Sequence, residues 1–187
     1  MILPDCTLFP HGGLPLFIFE PRYRLMLNQA LEGDCVFAVA RQLGSHAASI
    51  GTVGLVRASR EREDGTSELL LHGVIRVRFT EWLEDEPFPS ALIEPLLGQP
   101  LEMDRNSAAM LALKGAVEDG LSGLPEELRN GVLNLLSQAD EAGLMADLVA
   151  QQLVQDPDLR QLLLETIPVG ERVALLCQFL EKLKFGN

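Results

Sequence analysis

Over the first hundred positions the apolar residues fall in short runs, and beyond them they recur every three to four positions. The first half therefore predicts strands and the second half helices. LPLFIF at 14–19 is apolar on both faces, as in a short strand covered on both sides. CVFAVA at 35–40 is a second run of that kind. IGTVGLVRA (50–58) and ELLLHGVIRVRFTEWL (68–83) flank SREREDGTS, where Asp64-Gly65 is a strong turn signal between strand patterns. Within the second arm Ile75, Val77 and Phe79 alternate with Arg76 and Arg78, which predicts one dry and one wet face. SALIEPL (90–96) is the last strand, ended by Pro95. Short strands with hairpin punctuation suggest a small barrel or folded sheet.

One helix interrupts this series. From Pro21 onward, Tyr23, Met26, Leu27, Ala30 and Leu31 follow amphipathic helical spacing. Proline suits a first turn, where its missing N–H would be unbonded anyway, and Glu20 stands at the positive end of the helix. GQPLEMDRNS (98–107) reads as a polar joint. Helices are expected beyond it near 106–119, 125–138, 142–154, 157–166 and 169–184. Asp156-Pro157 is an N-cap followed by a first-turn proline, a cap worth about 1 kcal/mol. Val169, Val173, Leu176, Leu180 and Leu183 form one apolar seam, expected to face a core. The expected class is α+β: a β-rich lobe over 1–97 with one helix near 21–32, a linker at 98–107, and a helical lobe over 108–187.

Composition narrows the partners. The 187 residues are 47% hydrophobic and 22% charged, a globular balance. The formal charge is −12, with acids exceeding bases in both halves. Such a surface repels phosphate backbones and anionic membrane, so neither is expected as a partner. No run of 18 apolar residues occurs, and MILPDCTLFPHGG lacks the basic region and cleavage site of a secretory leader. The cytoplasm is the expected location.

Catalytic grammar is missing. No GxxxxGK[ST] loop exists, and only Lys114, Lys182 and Lys184 are lysines. His11-Gly12-Gly13 reads as a tight turn. His11, His46 and His72 lack metal-ligand spacing, and Cys6, Cys35 and Cys177 lack CxxC spacing. The acids of EREDG (61–65) and EDE (84–86) do not follow calcium-loop order. No catalytic residue, metal or cofactor is therefore expected. Trp82 beside EDEPFP, with Phe88, either covers the end of the sheet or docks a partner.

LFPHGGLPLFIFEPRYRLML (8–27) resembles the start of the Lon protease N-terminal, substrate-binding domain, with its LFP, LPL and FEPRYRxM elements in that order. The likeness continues through EGDCVFAVA, IGTVGLV, the DG turn, LLHGVIRVRF and FPSALIEPL. It closes on an AD-x-L helix, the D-P cap, LLE and an ER-x-x-L helix. The resemblance implies a PUA-like β lobe followed by a helical bundle. It also implies a stand-alone member without the ATPase and serine–lysine protease modules, able to bind polypeptide as an adaptor or scaffold. RNA binding, a habit of PUA-like folds elsewhere, is the alternative. Glu20, Pro21, Arg22, Tyr23 and Arg24 form the family motif at the strand-to-helix turn. Arg22 is expected to clamp that turn by pairing with Glu20, and a buried clamp would cost about 3 kcal/mol to break. Arg22, Trp82 and Phe88 are the candidate partner contacts.

Overall fold

The computed structural model describes residues 1–84, 86–98, 101–123 and 125–184, with backbone alone at 128, 183 and 184. Two compact units divide the chain at residue 97. The first is a mixed seven-stranded sheet with one helix. Its elements are β1 (Ile2–Pro4), β2 (Gly13–Ile18), α1 (Pro21–Glu32), β3 (Val36–Leu43), β4 (His46–Ala47), β5 (Ile50–Glu61), β6 (Ser67–Leu83) and β7 (Ser90–Pro95). The strand order is β1-β3-β5-β6-β2, with β4 beside β3 and β7 beside β6. Only β1 and β3 run parallel among these pairs. The long β6 divides one of its sides, pairing with β2 over 67–72 and with β7 over 77–83.

Local chemistry makes the β5–β6 hairpin. The Gly65 N–H donates to the Arg62 carbonyl (2.9 Å) and the Arg62 N–H to the Thr66 carbonyl (2.8 Å). Asp64 Oδ1 accepts from the Thr66 N–H (2.9 Å) and hydroxyl (2.6 Å). Gly65 has φ +76°, a conformation that suits glycine.

Two strand expectations need correction. β2 is not covered on both sides: Leu14, Leu16 and Ile18 turn inward, while Phe17 and Phe19 are 49% and 60% exposed. Their rings stack at 6.1 Å and the Arg62 guanidinium lies 5.1 Å from Phe17, so stacking and a cation take the place of a second layer. Arg76 is not on a wet face either, being 7% exposed. The pairing slips between Val53↔Ile75 and Gly54↔Gly73, leaving Val74 bulged out. That slip moves Arg76 to the face crossed by the segment 7–12, where its guanidinium sits 6.0 Å from the Phe9 ring.

Segment 7–12 is tied down closely. The Thr52 hydroxyl donates to the Leu8 carbonyl (2.6 Å), and the Gly12 N–H closes the predicted tight turn on Phe9 O (3.0 Å). A Cβ on Gly73 would stand 2.0 Å from the Phe9 carbonyl oxygen, so only glycine fits beneath this crossing. The His11 and His72 rings meet edge to face at 6.5 Å. Burial, then the charges of His11 and Arg57, hold the His72 pKa below its ordinary 6.5. The unfolded chain thus binds the extra proton first as pH falls from 6.5, and stability drops through that window. Thermal melts between pH 7 and 5 are expected to show this loss, and His72→Gln to flatten it.

The core of this unit joins Leu8, Ile18, Tyr23, Leu27, Phe37, Leu69 and Leu71. Helix α1 contributes Tyr23, Met26 and Leu27, with Ala30 partly buried beside them, while Leu31 of the predicted face is exposed. The Tyr23 hydroxyl donates to the Ile2 carbonyl (2.8 Å) and accepts from the Ile2 N–H (3.2 Å), fastening β1 to the helix.

The second unit contains α2 (Met103–Gly120), α3 (Glu126–Leu136), α4 (Ala142–Leu153), α5 (Pro157–Glu165) and α6 (Val169–Lys184). α2 begins inside the stretch 98–107 expected to be a linker, with Asp104 in its first turn complementing the helix dipole. Asp156 Oδ1 accepts from the Leu159 N–H (2.7 Å), the cap predicted for α5. Val169, Val173, Leu176 and Leu180 are buried as the α6 seam, which packs on α2 and α4. Leu183 lies outside the described side chains. Arg160 Nη1 donates to the carbonyls of Ala150, Gln151 and Val154 (3.3, 3.1 and 3.0 Å), closing the end of α4. Arg172 Nε lies 3.1 Å from Asp147 Oδ1, both side chains about 5% exposed or less. Arg172 Nη1 also donates to Thr166 O (2.6 Å) and Ile167 O (3.3 Å). The acid of the AD motif and the arginine of the ER motif thus meet in the helical core.

Candidate functional site

A groove of about 310 Å³ crosses one face of the first unit. Val36–Ala38 of β3, Val53 of β5, Phe79 and Trp82 of β6, and Ala91 and Ile93 of β7 form its floor and one wall. Met1, Met26 of α1, Phe88 and Pro89 form the rest. The lining side chains are apolar but for Ser90 and the indole N–H of Trp82, and the Met1 amino group among them donates to Ala38 O (2.7 Å).

The groove depends on a second irregularity in β6. A regular strand sends residues three apart to opposite faces. Here the register runs Phe79↔Ile93, Glu81↔Leu92 and Trp82↔Ala91, so Thr80 is an inserted residue. Because β7 is unbroken, Ile93 and Ala91 share a face, and Phe79 and Trp82 are brought onto it together. Their rings stack at 5.0 Å and 23°. Gly51 clears the space for this stack, since a Cβ there would stand 2.7 Å from the Phe79 ring and 2.2 Å from the Val39 carbonyl. Trp82 remains 37% exposed and Ile93 42%, so large apolar surface faces solvent. Glu81, Glu84, Glu86 and Glu94 are exposed on the same hairpin, with Arg78 opposite Glu94.

Two of the three candidate contacts, Trp82 and Phe88, therefore meet in one groove, and Arg22 does not join them. Arg22 lines a separate polar cleft of about 190 Å³ with Ile2, Tyr23, Gln42 and His46. It pairs with Glu20 at 2.8 Å and stacks over the Tyr23 ring at 4.6 Å. The pair is exposed, 50% for Arg22 and 38% for Glu20, so the expectation of a costly buried clamp is corrected. Arg22→Ala is expected to cost less than about 1 kcal/mol in urea denaturation, as exposed pairs do. Arg24 reaches the β5–β6 hairpin instead, its guanidinium lying over Gly65 where a Cβ would stand 1.9 Å from Nη2. The parts of the motif divide their work: Tyr23 holds β1, Arg24 braces the hairpin, and Glu20 with Arg22 stays at the surface.

Reasoning from sequence missed Phe79, Ile93 and Val36 as groove residues. The spacing of Phe79 and Trp82 was visible, but it reads as opposite faces until Thr80 is known to bulge. A second apolar cleft of about 340 Å³ lies in the helical unit, lined by Met110, Leu111, Leu133, Leu136 and Met145 with Lys114 beside them. Among the described residues no three His, Cys, Asp or Glu side chains are placed to hold a metal ion, and no helix is long and apolar enough to cross a membrane. Burial and the neighbouring Glu181 push the Cys177 thiol up, away from a reactive thiolate.

The α+β fold, a mixed sheet and six helices among the described residues, is similar to that of solved Lon N-terminal domains. The N-terminal domain of Mycobacterium avium complex Lon protease superposes with a TM-score of 0.80 at 14% identity, covering 97% of this chain and 96% of that one. A Lon N-terminal domain protein from Xanthomonas campestris gives 0.69 at 19% identity, covering 95% and 96%. The family model of the ATP-dependent protease La (LON) substrate-binding domain matches residues 1–182, and the chain belongs to that family. Its curated relatives include Lon protease of Azospirillum brasilense, 28% identical over 96% of this chain. Lon protease 2 of Herpetosiphon aurantiacus is 29% identical over 94%. The chain spans 23% of the length of each of these two relatives.

Proposed function

We propose that this chain is a non-catalytic polypeptide-binding module whose groove at Trp82, Phe88 and Ile93 takes an apolar segment of a protein substrate or partner. The observation that carries this reading is the stacked Phe79–Trp82 pair, left partly exposed at the floor of an apolar groove. Pockets of this size with aromatic walls suit side chains of a bound polypeptide. The family's description as a substrate-binding domain supports the same class of ligand. The finer role is that of an adaptor or scaffold in protein degradation. Trp82 and Phe88 are assigned to contact, and Arg22 to the turn before α1. The acids on the hairpin work against RNA, whose backbone would be repelled there.

Trp82 is the single tryptophan, so its emission reports on the groove alone. Titration with a reduced, carboxymethylated unfolded protein is expected to shift that emission to the blue and saturate. Emission that does not move at high concentrations of the unfolded chain would overturn the reading.

A further inference from the structure

The edge of the sheet beside the groove says how a segment would lie there. β7 pairs with β6 alone among the described residues, so its other side is an edge. The Leu96 N–H donates back to Arg76 O (2.9 Å), and Leu92 O accepts from the Thr80 hydroxyl (3.2 Å), so even-numbered residues turn their backbone groups toward β6. The backbone groups of Ala91, Ile93 and Pro95 then point outward. Proline at 95 fits that phase, because its missing N–H falls on the open side. Ala91 and Ile93 also line the groove, so the open edge and the apolar surface are adjacent. Exposed edges of this kind usually carry charge or cover against a stray strand. β7 carries Glu94 and Pro95 at one end, yet it still exposes Ile93 (42%) beside the groove and Leu92 (52%) on the opposite face.

We infer that β7 binds its partner by strand addition: an extended segment with apolar residues at alternate positions, flanked by basic residues, pairs with the outward groups of Ala91 and Ile93. This rests on the groove reading and adds backbone pairing to it. Alternate side chains of the added strand fall on the groove side, beside Trp82 and Ile93, while the next ones face solvent. The exposed Glu81, Glu84, Glu86 and Glu94 outnumber the single Arg78, which selects lysine or arginine at the ends of the segment.

The test uses a fluorescein-labelled peptide with valine, phenylalanine and valine at alternate positions, threonine between them, and two basic residues at each end. Two further peptides carry N-methyl groups, one set in each phase of the backbone. Anisotropy titration of the whole chain is expected to show about tenfold weaker binding for one methylated phase and little change for the other, since one phase loses pairing hydrogen bonds. Equal binding of all three peptides, still lost with Trp82→Ala, would overturn strand addition and leave the groove reading standing. No binding of any peptide, with unfolded protein also failing to shift Trp82 emission, would overturn both. Ala91→Pro removes one outward donor while sparing the β6 ladder and is expected to weaken the parent peptide about tenfold with an unchanged melt. Sedimentation is expected to show the same oligomeric state for Ala91→Pro and the parent chain. A dimer that Ala91→Pro dissociates, without peptide binding, would overturn the inference and assign the edge to a second copy of the chain.

Discussion

Arg172→Ala is expected to destabilise the helical unit by about 3–5 kcal/mol, the largest loss of any single substitution considered for this chain. The guanidinium is almost wholly buried, faces Asp147 at 3.1 Å, and donates to the carbonyls of Thr166 and Ile167 between α5 and α6. Its removal strands a carboxylate inside the unit and leaves those carbonyls short of a donor. Asp147→Ala strands the guanidinium and should cost a similar amount. The double replacement Arg172→Met with Asp147→Leu is expected to recover much of the loss, because apolar side chains of similar size avoid the desolvation that the ions incur. Urea unfolding followed by far-ultraviolet circular dichroism measures all three. A single substitution that lowers the unfolding free energy by less than about 1 kcal/mol would show that water reaches the pair and screens it.

Trp82→Ala is expected to weaken binding of an unfolded client by about 2 kcal/mol or more, roughly thirtyfold, with little change in stability. Half-exposed tryptophans at the centre of an apolar groove bring large area at small conformational cost, and Trp82 is additionally held flat against Phe79. Trp82→Phe keeps a stacking partner and should lose less. Because the substitution removes the intrinsic reporter, a fluorescein-labelled unfolded protein and anisotropy supply the measurement. An unchanged Kd for Trp82→Ala would move the contact surface elsewhere, with the helical cleft at Met110 and Leu133 the next to test.

What could be read before folding was whatever local chemistry decides. The Asp64-Gly65 turn, α1 from Pro21, the Asp156 cap and the α6 seam depend on neighbours within a few residues, and each stands where its pattern placed it. The exceptions are Leu31 of α1, which is exposed, and Leu183 of the seam, which lies outside the described side chains. The site was legible only in part. Trp82 and Phe88 stood out by composition, yet their companions Val36 and Phe79 come from pairings far apart in the chain. Unbroken alternation predicts a solvated Arg76, and the slip at Val74 cannot be seen in β6 alone. β1 is too short at three residues to show any period. Asp147 and Arg172 were visible as motif letters, but only the packing of α6 on α4 makes them a pair.

The insertion at Thr80 carries a consequence for how this surface could be gained or lost. Excising that one residue would leave Phe79 and Trp82 two apart in a regular strand, still on one face. Flattening the bulge with its residue retained would instead turn Trp82 to the far side of the ribbon and split it from Phe79. A shortening by one codon here would thus spare this surface, while a change that irons the bulge into the ladder would erase it, so the kink matters more than the residue that fills it.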